Sequence, residues 1–279
     1  MNKVISISGG QSSAYIAANY KFDFLVFSLV RTDLKKYEFK DRKTAQIISD
    51  RLGIDFIGTL EDDTIIYTIL DLEQYLGHEI NIVTGVTFEQ LIKDKSGYLP
   101  NVKTRFCTTE LKIRPIFHWW HDNFKGEIIE MPIGYRAGEQ SRKNTEIGKL
   151  NKDGISEFEA TFEKNKRGQN KWVTIPWRIP TFPLIDNFIY KQDVVKFWKD
   201  KPVRFAKYNN CVGCFHRSAA FLKKMSISDP NTFDFFIQME KENKGFFKKE
   251  VSYQRIKDIN FTEEMEFESE GCGSGFCGF

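Results

Sequence analysis

The first twenty residues restrict the fold of this chain more than any other segment does. Residues Lys3–Ser8 alternate between apolar and polar side chains and end at a pair of glycines, so they predict a β-strand. Residues Ser12–Tyr20 suit a helix, and Ser12 or Ser13 is its expected N-cap. The connection between the first strand and the first helix therefore contains two glycines, whose backbone is not covered by side chains.

Strands and helices continue to alternate through the first half of the chain. Residues Phe22–Ser28 are almost continuously apolar, which is typical of a strand that is buried on both faces. Further strands are predicted at 54–60 and 127–135, and helices at 37–52, 64–76 and 110–124. Because such alternation forms right-handed βαβ units, we expect an α/β fold with a doubly wound, mostly parallel sheet.

The pattern changes near Gly138. Residues 139–171 are polar and charged, and we interpret them as an excursion over the sheet edge that can include a hairpin. Pro176, Pro180 and Pro183 then indicate a structured loop. Further helices are predicted at 191–200, 218–225 and 231–244. We therefore predict an α/β domain over residues 1–200 and a smaller, mainly helical C-terminal part over residues 201–279.

Composition narrows the class of protein. The chain has 41 Lys and Arg against 38 Asp and Glu, so a net charge of +3 does not indicate a nucleic-acid-binding protein. Its apolar stretches are too short to cross a membrane, and its N-terminus lacks the pattern of a signal peptide. We expect a cytoplasmic protein. An odd set of five cysteines in a reducing compartment argues against a disulfide framework.

The corner at residues 8–13, called the glycine loop below, is suited to binding phosphate. A helix N-terminus presents unpaired N–H groups and a partial positive charge. Gly9 and Gly10 have no Cβ that would obstruct an oxyanion, and Ser8, Ser12 and Ser13 add hydroxyl groups. The segment is neither a Walker loop nor a G-x-G-x-x-G motif. The alternative interpretation is an ordinary tight turn with a serine cap.

Four successive segments resemble one family of nucleotide-binding enzymes. "SGGQSSA", which begins at Ser8, is similar to the S-G-G-x-[DST]-S signature of the PP-loop ATP pyrophosphatases, in particular of their phosphoadenosine-phosphosulfate-reductase-like branch. Residues 105–116, 133–143 and 182–198 are similar to that branch's R-x-C-T-x-x-L-K-x-x-P, G-[IY]-R-x-x-E-x-x-R and P-L-x-x-W-x-x-x-D-V segments. The resemblance covers residues 1–200 and implies an adenine nucleotide alpha hydrolase-like fold.

The resemblance also implies a ligand and a set of site residues. The loop would hold the phosphates of ATP with Mg²⁺, or the phosphosulfate end of a sulfonucleotide (PAPS or APS), and ATP would be cleaved between its α- and β-phosphates. The implied nucleotide-binding residues are Ser8, Gly9, Gly10, Gln11, Ser12, Ser13, Arg105, Gly134 and Glu139. Lys112, Arg136 and Arg142 are the implied catalytic residues, because their charges would neutralise the phosphate. Glu139 would order a basic side chain or hold Mg²⁺.

The cysteines are candidate metal ligands. Cys211 and Cys214 form a C-x-x-C pair, a spacing that can hold one metal ion from a single turn. Some relatives in the wider family carry [4Fe–4S] clusters, so the resemblance implies a cluster held by Cys107, Cys211, Cys214 and either Cys272 or Cys277. Zinc is the second interpretation, a redox pair the third and unliganded thiols the fourth. Alternatively, Cys272 or Cys277 is a nucleophile, as in sulfonucleotide reductases.

Three functions stay open at this point. The first is an enzyme that binds ATP, adenylates an acceptor and releases pyrophosphate, in sulfur-related chemistry. The second is a sulfonucleotide reductase that releases sulfite. The third is a nucleotide-binding sensor or partner protein, which Ser12 favours because the family often has aspartate there. The acceptor is not identified, but basic residues within 139–171 make tRNA or another nucleic acid a candidate, and a homodimer is a candidate assembly.

Overall fold

A computed structural model describes residues 1–259, and its first strand and first helix meet where the sequence indicates. Strand β1 (Val4–Ile7) is followed by helix α1 (Gln11–Asn19), so both predicted elements are confirmed. Gly10 is the N-cap of α1 and no side chain caps it, so the predicted serine cap is wrong. Ser13 lies inside the helix, where its hydroxyl accepts a hydrogen bond from the Ser8 N–H instead.

The remaining elements follow in chain order. The strands are β2 (Phe24–Leu29), β3 (Arg31–Thr32), β4 (Gly58–Thr59), β5 (Ile80–Thr84), β6 (Ile129–Pro132), β7 (Ser156–Lys164) and β8 (Asn170–Thr181). The helices are α2 (Arg42–Leu52), α3 (Thr64–Leu76), α4 (Phe88–Asp94), α5 (Phe106–Thr108), α6 (Arg114–Phe124), α7 (Gln140–Ile147), α8 (Pro183–Asp186), α9 (Lys191–Trp198), α10 (Ala219–Ser228), α11 (Pro230–Asn243) and α12 (Tyr253–Asp258). A π-helical turn at Thr109–Ile113 joins α5 to α6.

Three parallel strands form the centre of the fold in the order β1–β2–β5. The register aligns Ile5 of β1 with Leu25 of β2, and Leu25 with Ile80 of β5. Helices α1, α2 and α3 lie between these strands in the chain. The predicted α/β class and a parallel sheet are therefore confirmed.

The third strand predicted at residues 54–60 is wrong. Only the two residues of β4 pair there, antiparallel to β3. A Cβ on Gly58 would lie 2.0 Å from the carbonyl oxygen of Tyr37, so this segment packs directly against the backbone of an earlier turn. Strand β5, which was not predicted, takes the third place in the parallel sheet.

A second sheet has the order β6–β8–β7 and is joined to β1 by one bridge. Strand β6 runs parallel to β8, and β7 and β8 form an antiparallel hairpin. Lys3, next to β1, pairs with Glu130 of β6, so the strands follow one another as β5–β2–β1–β6–β8–β7. The hairpin expected within residues 139–171 is confirmed in part: β7 lies there, but the second strand, β8, extends to Thr181. Helix α7, which was not predicted, precedes the hairpin.

Strand β8 contradicts the loop that was predicted at Pro176 and Pro180. Pro176 opposes Glu157 where the register of the hairpin shifts, and Pro180 lies beyond the last pair with β7, at Ser156 and Arg178. Proline has no N–H to donate to a ladder. Both prolines are tolerated because the ladder with β7 is irregular at one position and has ended at the other.

Apolar side chains cover both faces of the parallel strands. Ile5 and Phe27 pack with residues of α1, α2 and α3, whereas Val4 and Val26 pack with residues of α6 and with Trp177 of β8. Neighbouring residues of a strand point to opposite faces. Burial on both faces explains why β2 is almost continuously apolar.

The C-terminal helices share an apolar core with earlier segments. Phe233, Phe236 and Tyr253 are buried together with Phe88 of α4 and Leu111 of the π-helical turn. The helices predicted at 191–200, 218–225 and 231–244 are confirmed as α9, α10 and α11, with small shifts at their ends. The domain boundary at residue 200 stays a prediction. Among residues 1–259, no helix combines the length and the apolar character that crossing a membrane requires.

Candidate functional site

Neighbouring side chains hold the glycine loop closely. Gly9 has φ +73°, and a Cβ there would lie 2.6 Å from Cγ2 of Ile65 in α3. A Cβ on Gly10 would lie 2.6 Å from Nδ2 of Asn209. Gly9 is therefore required by its backbone conformation and by the protein's own packing, independently of any phosphate, whereas a side chain at position 10 would displace the end of the flexible Asn209 side chain.

Ser13 organises the loop from within. Its hydroxyl accepts a hydrogen bond from the Ser8 N–H and donates one to the carbonyl of Gly10, each at 3.1 Å. The carbonyl of Gln11 accepts a hydrogen bond of 3.0 Å from the indole N–H of Trp198 in α9. The loop is therefore preorganised by its own side chains and by α9.

Gly134 brings a second motif against the glycine loop. It follows β6, and a Cβ there would lie 3.2 Å from the backbone nitrogen of Ser13 and 3.3 Å from Cβ of Ser12. The structure thus joins the segments at residues 8–13 and 133–143, which are far apart in the sequence. Both lie at the carboxyl ends of parallel strands, where α/β proteins usually bind ligands.

A cavity of about 740 Å³, called the main cavity below, opens beside the carboxyl ends of β1 and β2. It has the size of a typical small-molecule site. The predicted site residues that line it are Ser8, Arg105, Cys107, Lys112, Glu139, Arg142, Cys211 and Cys214. The structure therefore collects residues from four separate segments around one space.

Lys112 enters the main cavity from the π-helical turn and forms an ion pair with Glu61. Nζ of Lys112 lies 2.7 Å from Oε1 of Glu61, whose side chain is only 2% exposed. Burial is the largest single effect and disfavours the charged ammonium, but the attraction and hydrogen bond of Glu61, together with Cys211 and Cys214, outweigh it and raise the pKa of Lys112. A hydrogen bond of 2.9 Å from the Ser28 hydroxyl to the Leu111 carbonyl ties the turn to β2. Lys112 is therefore a fixed positive charge.

Glu139 orders two arginines. One of its carboxylate oxygens accepts hydrogen bonds from the backbone N–H and Nε of Arg136, at 2.9 and 2.8 Å, and the other accepts one from Arg142. Burial would raise the pKa of Glu139, but these hydrogen bonds hold it below its usual value. Of the two roles predicted for Glu139, this arrangement corresponds to ordering basic side chains.

Three cysteines converge on the main cavity. Cys107, Cys211 and Cys214 are free thiols that line it and interact electrostatically with one another. Desolvation raises the pKa of Cys107 to about 11 and also raises that of Cys211, so both are protonated at neutral pH. Thiols suit iron–sulfur or zinc binding, but no three His, Cys, Asp or Glu side chains within residues 1–259 are arranged to hold a metal ion. The candidate fourth ligands, Cys272 and Cys277, lie outside the described residues.

The C-x-x-C pair lies within a segment called the cysteine turn, residues 209–217, which is supported by Tyr253 of α12 and by Lys248, between α11 and α12. The Tyr253 hydroxyl donates a hydrogen bond of 2.9 Å to the carbonyl of Gly213. Lys248 donates to the carbonyls of Phe215 and Arg217, at 3.0 and 3.1 Å. This buried framework fixes the position of the thiols.

Some residues that line the cavity or contact its lining had no usable signal in the sequence. Asn209 is marked only by its place before the C-x-x-C pair, yet it contacts the glycine loop. Arg178 belongs to β8, which was predicted as a loop, and Glu61 was not singled out. No family model, curated protein or solved structure matches this chain.

Proposed function

We propose that this chain is a PP-loop enzyme that binds an adenine nucleotide on the glycine loop and cleaves or transfers at its α-phosphate, in sulfur-related chemistry. The observation that carries the proposal is the main cavity, where Ser8 of the loop and three basic side chains, Arg105, Lys112 and Arg142, line one space. The strand order and the apolar layers on both faces of β1 and β2 support the doubly wound form of the α/β fold.

The basic side chains suit adenylation. In this reaction an acceptor oxygen forms a bond to the α-phosphorus, the bridging bond to the β-phosphate breaks, and pyrophosphate leaves with the electron pair. Lys112 and Arg142 are held in place by Glu61 and Glu139, so they offer preorganised positive charge to the phosphates. Of the carboxylates that line the cavity, Glu139 accepts hydrogen bonds from two arginines and Glu146 pairs with Arg178 and Lys149. Mg²⁺ would be held by the phosphates of the nucleotide, with Glu157 as the remaining cavity carboxylate.

Pyrophosphate release from ATP tests the proposal. We expect Arg142→Gln to lower the rate about 100-fold, the usual effect of removing one charge-stabilising donor. Arg204→Gln is the matched control, because Arg204 pairs with Asp71 and is 59% exposed at its side chain. A wild-type protein that binds neither ATP nor a sulfonucleotide would overturn the proposal, and ATP binding without turnover would support a sensor.

A sulfonucleotide reductase is the second candidate, and the three thiols in the main cavity favour it. Sulfite release from PAPS or APS in the presence of a thiol reductant would support this function over adenylation. The raised pKa values of Cys107 and Cys211 argue against either as a ready nucleophile in the ligand-free protein and are compatible with ligand roles. A [4Fe–4S] cluster or zinc in the cysteine turn stays a proposal, and so does a tRNA acceptor.

A further inference from the structure

Asn209 of the cysteine turn lies against the glycine loop. A Cβ on Gly10 would lie 2.6 Å from Nδ2 of Asn209 and 3.4 Å from Oγ of Ser8, so the amide and the hydroxyl border the same point in space. Asn209 and Ser8 both line the main cavity. The C-terminal part of the chain therefore brings a hydrogen-bonding side chain to the loop, and none of the phosphate-binding motifs includes that side chain.

The backbone that carries Asn209 is fixed by contacts within the protein. The buried guanidinium of Arg217 donates hydrogen bonds to the backbone carbonyls of Asn209 and Asn210. Asn210 has φ +71°, a left-handed conformation that asparagine adopts more readily than most residues. The N–H of Val212 donates a hydrogen bond of 3.0 Å to the carbonyl of Leu60, which ties the cysteine turn to the segment after β4. These contacts hold the backbone of Asn209 beside the loop.

The side chain of Asn209, in contrast, is available to a ligand. Within residues 1–259, the hydrogen bonds of Asn209 use its backbone carbonyl, and its side-chain amide makes none. The residue is exposed, so its amide can turn towards an incoming group without breaking a bond inside the protein. A carboxamide is uncharged, and it therefore adds a donor to the cavity without repelling the positive charges of Arg105, Lys112 and Arg142.

We propose that Asn209 is a further nucleotide-binding residue, which donates a hydrogen bond from Nδ2 to a non-bridging phosphoryl oxygen on the glycine loop. A hydrogen bond from a neutral amide to an anionic oxygen is charge-assisted and stronger than one between neutral groups. Asn209 would act together with Ser8 and with the unpaired N–H groups at the start of α1. The inference rests on the proposed function in taking the ligand to be a nucleotide.

Calorimetry with two phosphate ligands tests the inference, one being inorganic pyrophosphate and the other the non-hydrolysable analogue α,β-methylene-ATP. Asn209→Ala removes the donor, and we expect both ligands to bind about tenfold more weakly. Asn209→Asp also places a negative charge beside the phosphate, so binding should weaken about 100-fold. Asn165→Asp is the matched control, because it makes the same change in the exposed turn between β7 and β8 and should leave both affinities unchanged.

Each outcome has a distinct meaning. If the wild-type protein binds the ATP analogue and both Asn209 variants bind it equally well, the inference is wrong while the proposed function stands. Equal losses in Asn209→Ala and Asn209→Asp would show that the side chain only supports the loop, which also overturns the inference. If pyrophosphate binds in an Asn209-dependent way but the ATP analogue does not bind, the proposed function fails and the contact with a phosphoryl group stands. If the wild-type protein binds neither ligand, both fail.

Discussion

The ion pair between Lys112 and Glu61 should control the stability of the site. Lys112→Met leaves the Glu61 carboxylate buried without its partner, since that side chain is only 2% exposed. Breaking a buried ion pair costs about 3–5 kcal/mol. Because the Lys112 side chain is 21% exposed, water can relieve part of this cost, and we expect the lower end, about 3 kcal/mol. For a chain of this size the melting temperature should then fall by about 6 °C.

A matched double variant distinguishes the destabilisation caused by the uncompensated Glu61 charge from the destabilisation caused by lost packing. Lys112→Met combined with Glu61→Gln removes both charges and keeps the shape of the second side chain. Urea unfolding followed by tryptophan fluorescence should place the double variant within about 1 kcal/mol of the wild type, clearly above Lys112→Met alone. The reasoning is refuted if Lys112→Met is as stable as the wild type, or if the second change destabilises it further.

Three further predictions concern the loop, the cysteine turn and pH. Gly134→Ala should weaken ATP binding by up to about fivefold, because the new Cβ would lie 3.2 Å from the Ser13 nitrogen and shift the loop by a few tenths of an ångström, whereas Gly148→Ala, with only ordinary contacts, should not. Tyr253→Phe removes a buried donor, so the cysteine turn should react faster with a thiol reagent, and exposed Tyr98→Phe should show no change. Burial lowers the pKa of His216 to about 4. The His216 imidazole therefore binds a proton near pH 6.5 in the unfolded chain but only near pH 4 in the folded chain. The free energy of unfolding should consequently fall as the pH drops from 6.5 to 4, by at most about 1.4 kcal/mol per pH unit. His216→Gln should flatten this slope in denaturation curves, and an unchanged slope would contradict the assignment.

The sequence predicted the elements whose signals are local. β1, α1 and α3 have clear periodicity with glycine at one end or the other, and Gly53 and Gly77 end their helices in the left-handed conformation. The resemblance implied one site for Cys107, Cys211, Cys214 and a tail cysteine; the first three line one cavity, and the tail cysteines lie outside the described residues.

The features that depend on contacts between distant segments could not be predicted from the sequence. The pairing of β5 with β2 decides its structure more than its own composition does. The prolines of β8 indicate a loop by propensity, and only the irregular ladder with β7 makes them compatible with a strand. Glu61 and Asn209 lie far from Lys112 and Gly10 in the chain, so no local pattern connects either residue with its partner.

The contact between Asn209 and Gly10 couples two positions that lie far apart in the chain. A Cβ at position 10 would lie 2.6 Å from the amide nitrogen of Asn209, which is the end of a flexible side chain. A residue larger than glycine at position 10 would therefore turn the Asn209 side chain into another rotamer. A change in the glycine loop would in this way be felt in the cysteine turn.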